Sequence, residues 1–177
     1  MRVIGGNLKR SVIKGFDIDG TRPTTDRIKE SLFAMIQEEI KDKTVLDLFS
    51  GSGALGIEAI SRGCKKVVFI DKNIQAIKII KENITKLHIK NFNIIKSDFK
   101  TYLETTNELF DIIFLDPPYK SDYINTSLIL INKYNLLKDN GIIVCESSEI
   151  ANINYLHYNI YKTKEYKDKC IVILKKM

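Results

Sequence analysis

The chain has no Trp, only two His and only three Cys. Cys64, Cys145 and Cys170 are odd in number and far apart, with no Cys-x-x-Cys pair, which argues against a disulfide framework, a zinc site or a redox pair. Reduced, buried thiols and no metal centre are expected. His88 and His157 read as surface or packing residues rather than catalytic ones. No run approaches the roughly 18 consecutive apolar residues of a membrane helix, and Met1-Arg2-Val3-Ile4-Gly5-Gly6 carries no apolar signal core. A cytoplasmic location with no membrane partner is therefore expected. Composition, at 44% hydrophobic and 28% charged, excludes wholesale disorder, a collagen repeat and a coiled coil, and 177 residues give room for one core.

Charge is present in excess of one sign. The 28 Lys and Arg against 22 Asp and Glu leave +6, which suits a polyanionic partner such as nucleic acid. Four of the five arginines, Arg2, Arg10, Arg22 and Arg27, fall in the first 27 residues, and Arg is the better fork for phosphates and base edges. These four are candidates to meet such a partner.

From residue 44 onward, short apolar runs alternate with longer stretches of helical period, the pattern of a parallel sheet with crossover helices. Strands are predicted at 44–49, 66–71, 92–96, 111–115 and 141–146. The helix near 74–87 shows the clearest apolar and basic faces, through Ile74, Ile77, Lys78 and Lys81, with Asp71 and Asn73 placed to begin it. Two strand-like runs, 155–161 and 170–174, read as a closing antiparallel hairpin. Residues 1–43 form a separate piece: a small hairpin or ordered arm over 2–20, then a helix start at Pro23-Thr24-Thr25 with Ile28, Leu32, Met35, Ile36 and Ile40 on one buried face. The predicted fold is α/β, a doubly wound, mostly parallel seven-stranded sheet over 44–177, with the N-terminal extension packed on it.

Val45-Leu46-Asp47-Leu48-Phe49 runs straight into Ser50-Gly51-Ser52-Gly53-Ala54-Leu55-Gly56, before a helix at 57–62. Glycines at such a bend let backbone approach a ligand and offer it helix amides. The spacing fits the dinucleotide fingerprint, with Asp71 placed 20 residues after Gly51 to hold a ribose, so a nicotinamide cofactor is one reading. Asp47, inside the first strand, pulls the other way, because it can meet a cationic amino-acid group that a pyrophosphate lacks. Asp98 and Phe99 after the third strand suit an adenine amine and its ring face. Acids at three successive strand ends fit S-adenosylmethionine. Singly, the loop is a packing device in many α/β proteins, and Asp71 or Asp98 could be a helix cap.

Asp116-Pro117-Pro118-Tyr119 ends the fourth strand, which an open doubly wound sheet places across the crevice from the glycine loop. Two consecutive prolines stiffen this turn before any substrate arrives. The Asp116 carboxylate and the Pro117 carbonyl can both accept hydrogen bonds from one exocyclic amine, directing its lone pair at a methyl donor, while Tyr119 stacks on the base. Transfer from a sulfonium then needs alignment and a route for the proton, with no metal.

These segments resemble a class I S-adenosylmethionine-dependent methyltransferase of Rossmann-like fold, and more narrowly the RsmD family of bacterial 16S rRNA guanine-N2 methyltransferases. Arg2-Val3-Ile4-Gly5-Gly6, Arg22-Pro23-Thr24-Thr25-Asp26-Arg27, the glycine loop, Ser61-Arg62-Gly63 and the Asp116 turn carry the resemblance in order. It implies methylation of the N2 amine of one guanine in 16S rRNA, in the small ribosomal subunit or its precursor, by a monomer, with Arg2, Arg10, Arg22 and Arg27 expected to line the RNA approach. Cofactor contacts are implied for Asp47, Ser50, Gly51, Ser52, Gly53, Asp71, Lys72, Asp98 and Phe99, and guanine contacts for Asp116, Pro117, Pro118 and Tyr119. The sequence departs from the family at Asp71, commonly Glu, at Lys9-Arg10-Ser11, usually Gly-Arg, and at Tyr166-Lys167, usually Tyr-Gly. Rival readings are a DNA adenine-N6 methyltransferase, for which no target-recognition insert is present, a nicotinamide dehydrogenase, which leaves Asp116 without a task, and a non-catalytic ribosome-assembly factor.

Overall fold

Strands buried on both faces must be apolar at nearly every position, and Val67, Val68, Phe69 and Ile70 are each fully buried in such a strand. The computed structural model describes residues 1–16, 26–118, 122–155 and 157–177. Its strands are β1 (Thr44–Asp47), β2 (Lys66–Asp71), β3 (Phe92–Lys96), β4 (Phe110–Leu115), β5 (Leu137–Ser147), β6 (Tyr158–Glu165) and β7 (Cys170–Lys176). They form one sheet in the order β3-β2-β1-β4-β5-β7-β6, parallel from β3 to β5 and antiparallel through β7 and β6. Helices α1 (Asp26–Met35), α2 (Ala54–Ser61) and α3 (Ile74–Lys86) bury Leu32, Phe33, Ile57 and Ile80 on one face. On the other, α4 (Phe99–Thr105) and α5 (Tyr123–Lys133) bury Tyr102, Leu103, Leu128 and Ile131. The doubly wound, mostly parallel sheet and its closing hairpin are as expected, and the chain order reverses between β1 and β4, where such sheets bind ligands.

Several local expectations shift. Helix α2 begins at Ala54, a turn earlier than the sequence suggested, because Ile57 N–H already bonds the Gly53 carbonyl at 2.8 Å. Gly56 therefore belongs to the helix, and it must be glycine for packing: a Cβ there would lie 2.2 Å from the Phe69 ring. The first hairpin strand starts at Tyr158 rather than 155. Asn125 holds the preceding loop, donating to the Asn152 carbonyl at 3.0 Å and accepting from Asn154 N–H at 2.7 Å, and the Tyr158 hydroxyl donates to the Leu128 carbonyl at 3.1 Å. Asn73 caps α3 by accepting from Gln75 N–H, yet Ile74 is 57% exposed rather than on the buried face. Cys145 and Cys170 are buried, while Cys64 is only partly so.

The first residues form a tight hairpin with a single bridge, Arg2 to Val12, that buries Val3 and Ile13 on the α1–α3 side. The helix start at Pro23-Thr24-Thr25 lies outside the described residues. Among the described residues, no helix is long and apolar enough to cross a membrane.

Candidate active site

Asp47 closes β1 and is 2% exposed; its Oδ2 accepts from Gly56 N–H at 3.0 Å, tying the strand end to the first turn of α2. Ser50 fastens the same bend, its hydroxyl donating to the Asp47 carbonyl at 2.6 Å and accepting from Ile70 N–H at 3.0 Å. Gly51 and Gly53 then take φ of 52° and 79°, the left-handed region that costs glycine little. Across the loop Asp71 accepts twice, from Gly51 N–H at 2.9 Å and from Asn73 N–H at 2.8 Å. The carboxylate thus holds the loop open beside β2 while its remaining lone pairs can meet hydroxyls.

Asp98 caps α4, its Oδ1 accepting from Lys100 N–H at 2.9 Å, and is exposed, whereas Phe99 is 6% exposed. Phe99 belongs to an aromatic group the sequence did not suggest: Phe49 and Tyr123 stack with centroids 5.9 Å apart, and Phe99 lies 5.2 Å from the first and 4.9 Å from the second. Lys72 is exposed, with Nζ 5.8 Å from the Tyr123 ring centre. Ser52 is buried, and its carbonyl accepts from Asn83 at 3.0 Å.

Pairing of β1 with β4 sets Asp47 beside Phe114, two residues before Asp116, and Leu48 N–H still bonds the Phe114 carbonyl at 3.3 Å. The glycine bend and the Asp116 turn therefore leave neighbouring strands at the same end of the sheet. Asp116 is partly buried, Pro117 buried and Pro118 exposed; Tyr119 lies outside the described residues.

Arg2 pairs with Asp26 at 3.2 Å, and Arg27 is exposed in the first turn of α1. Arg10, at φ 73°, sits in a turn fastened to the end of α2, where Asn7 N–H bonds the Ser61 carbonyl at 2.7 Å. Arg10 N–H also bonds the Val3 carbonyl at 2.9 Å, which sets Arg10 across the hairpin from the residue that follows Arg2. Arg22 lies outside the described residues.

A family model described as "Conserved hypothetical protein 95" matches residues 1–175. A ribosomal RNA small subunit methyltransferase D of Buchnera aphidicola subsp. Baizongia pistaciae is 40% identical over 153 residues, covering 86% of this chain and 78% of the relative. The protein of that name from Escherichia coli strain K12 is 32% identical over 152 residues, covering 86% and 76%. The chain belongs to the RsmD family. Its fold matches the solved Escherichia coli protein yhhF with a TM-score of 0.90 at 27% identity, over 99% of this chain and 97% of that one. Family and fold are those of methyltransferases.

Sequence reasoning missed the residues that attach the N-terminal segment to this RsmD-family core. Glu58 is fully buried in α2, where it accepts from Ile4 N–H and Gly5 N–H, both at 2.8 Å, and from Arg62 Nε at 2.9 Å. Lys29, 1% exposed, lies 3.5 Å from Glu58 and donates to the Arg2 carbonyl. Burial holds the Lys29 ammonium below its usual range, against the pull of Glu58 and Asp26. Asn83, on the apolar face of α3, accepts from Lys14 N–H at 2.8 Å and donates to the Lys14 carbonyl at 3.0 Å. Phe16 comes within 3.6 Å of where a Cβ on Gly51 would stand. A polar residue inside an apolar helical stripe was the available signal for Glu58, Lys29 and Asn83.

Burial pushes the Asp47 carboxyl up to about 7, opposed by the Gly56 N–H bond and reinforced by the Asp71 charge. An unfolded aspartate ionises near pH ~4, so between there and about 7 the folded chain holds the extra proton, and stability falls as pH rises through that window. Asp47→Asn should flatten this fall, read from urea midpoints at about pH 4 and about pH 8. A fall of the same size in the variant would put its source elsewhere.

Proposed function

We propose that this chain transfers a methyl group from S-adenosylmethionine to the exocyclic N2 amine of one guanine in 16S rRNA, within the small ribosomal subunit or its precursor, as a cytoplasmic monomer. Residues 1–43 would serve as the substrate-side extension of a catalytic unit spanning 44–177. The observation that carries the reading is the β1–β4 register, with a carboxylate-lined glycine bend and an Asp-Pro-Pro turn at adjoining strand ends.

The residues present suit the cofactor by their chemistry. Asp47 offers a carboxylate near the bend for an ammonium group, Asp71 offers lone pairs for ribose hydroxyls, and Asp98 accepts from an adenine amine while Phe99 borders the ring. Ser50 shapes the bend through its hydroxyl bond to Ile70 and Ser52 through its backbone carbonyl bond to Asn83, and Lys72 stands at its rim. Bound there, the cofactor supplies a methyl group on a sulfonium. Asp116 and the Pro117 carbonyl accept the two amine hydrogens and hold the nitrogen lone pair toward that methyl, Asp116 also receiving or relaying the proton that the amine loses. Pro118 fixes the turn, and Tyr119 would lie against the base.

Labelled methyl transfer tests the proposal, using small subunits from a strain that lacks the modification, beside naked 16S rRNA and unmethylated DNA, with nucleoside analysis of the product. Label in N2-methylguanosine is expected. Label in N6-methyladenine of DNA would preserve the amine chemistry and remove the RNA assignment, and tight cofactor binding without transfer would favour a non-catalytic assembly factor.

A further inference from the structure

The net charge of the chain is unevenly placed. Residues 1–43 hold nine basic and seven acidic side chains, and residues 44–157 hold thirteen of each. In the C-terminal hairpin, residues 158–176 hold six lysines against Glu165 and Asp168, a net of four positive charges in sequence; Lys162, Lys169 and Lys176 pair with Glu39, Glu146 and Asp139, and the other three are Lys164, Lys167 and Lys175. Its lysines are interleaved with tyrosines. Tyr161 occupies a register shift between Ile160 and Lys162 and is 41% exposed, with Lys175 Nζ 3.6 Å and Lys162 Nζ 4.7 Å from its ring centre. Toward the end of β6, Lys164 Nζ lies 5.9 Å from the Tyr166 ring centre, and Lys164 and Lys167 are exposed.

This surface has a direction. Lys162 donates to the Met35 carbonyl at 2.6 Å, which places it on the α1 face, and Lys164, two residues on in the strand, shares that face. Ser147 pairs with Cys170 and Leu115 with Cys145, so the turn joining β6 to β7 rises at the same end of the sheet as Asp116, while Lys175, opposite Ile142, stands about 16 Å back along the strands. Three strand spacings, about 15 Å, separate β6 from β4.

Resting on the function proposed above, we propose that the α1 face of the β6–β7 hairpin is a docking surface for RNA backbone flanking the target base, with Lys164, Lys167 and Lys175 meeting phosphates and Tyr161 available to a base or sugar. Ammonium groups held over aromatic rings beside an open rim fit a polyanion whose bases also stack. Lysines on an edge strand also discourage strand pairing between copies, so the test must separate the two roles.

The test is a salt series of binding to small subunits, comparing the full chain with a Lys164→Gln, Lys167→Gln, Lys175→Gln variant. Lys162 is left intact because it anchors β6 to α1. Each lost phosphate contact should reduce the slope of log affinity against log salt by about 0.7 to 0.9, so the variant should lose about two to three units, with KM for the RNA substrate raised and cofactor affinity and melting temperature unchanged. The corresponding Lys→Arg variant should restore the slope. An unchanged slope and KM, or self-association of the Gln variant without any change in RNA binding, would overturn the docking surface. Because binding is measured without turnover, a chain that binds through the hairpin yet transfers no methyl to guanine would overturn the proposed reaction and leave the docking surface standing.

Discussion

Asp116→Ala is expected to slow methyl transfer by about 10²- to 10⁴-fold, the range over which a positioned acid or base acts, while cofactor affinity stays near that of the unaltered chain. The separation of effects follows from the register. Asp116 leaves β4 two residues beyond the pairing of Phe114 with Asp47, whereas the glycine bend is fastened by the bonds of Asp71 to Gly51, Ser50 to Ile70 and Asp47 to Gly56. Asp116→Asn keeps an acceptor oxygen but no charge, so its loss should be smaller. Single-turnover rates on small subunits, with calorimetry for cofactor binding, measure both quantities. Equal rates for Asp116→Ala and the unaltered chain would remove this residue from the mechanism.

Glu58→Ala should be the most destabilising single change in the N-terminal half. Its carboxylate satisfies two backbone N–H groups of the arm and two cationic side chains from within a fully buried position. Removing it strands the Lys29 ammonium where water does not reach, and breaking a buried pair in this way costs about 3–5 kcal/mol. Arg62 would also lose the partner that keeps it beside Phe33, whose ring centre lies 5.1 Å from its guanidinium carbon. Urea unfolding gives the size of the effect, and faster proteolytic cleavage within residues 1–16 gives its location. A shift below about 1 kcal/mol would mean that the arm is held by Val3 and Ile13 packing instead.

The sheet was legible because strands covered on both faces read as continuous apolar runs, as Val67 to Ile70 do, and because the bend glycines sit where backbone must turn left-handed. Gly56 was misplaced for an instructive reason. A glycine needed for loop conformation and one needed because Phe69 crowds it look alike in sequence, and only the packed helix separates them. Asp98 illustrates a second ambiguity, since a carboxylate that caps α4 through Oδ1 keeps a second oxygen with which it could accept from a ligand. Glu58, Lys29 and Asn83 were hidden because their partners come from segments 27 to 69 residues away, and no local periodicity encodes those pairings.

Asn83 joins two segments that the chain otherwise keeps apart, gripping the Lys14 backbone with both ends of its amide while the same nitrogen reaches the Ser52 carbonyl. The arm and the glycine bend thus share one buried amide as a common fastening. Thermodynamic reciprocity then constrains the order of events: whatever factor a ligand at the bend adds to the ordering of residues 14–16, an RNA strand that orders those residues must return to the ligand's affinity. Under the function proposed above, any such factor would make loading of the small molecule and capture of the large one a single balance, adjustable from either side.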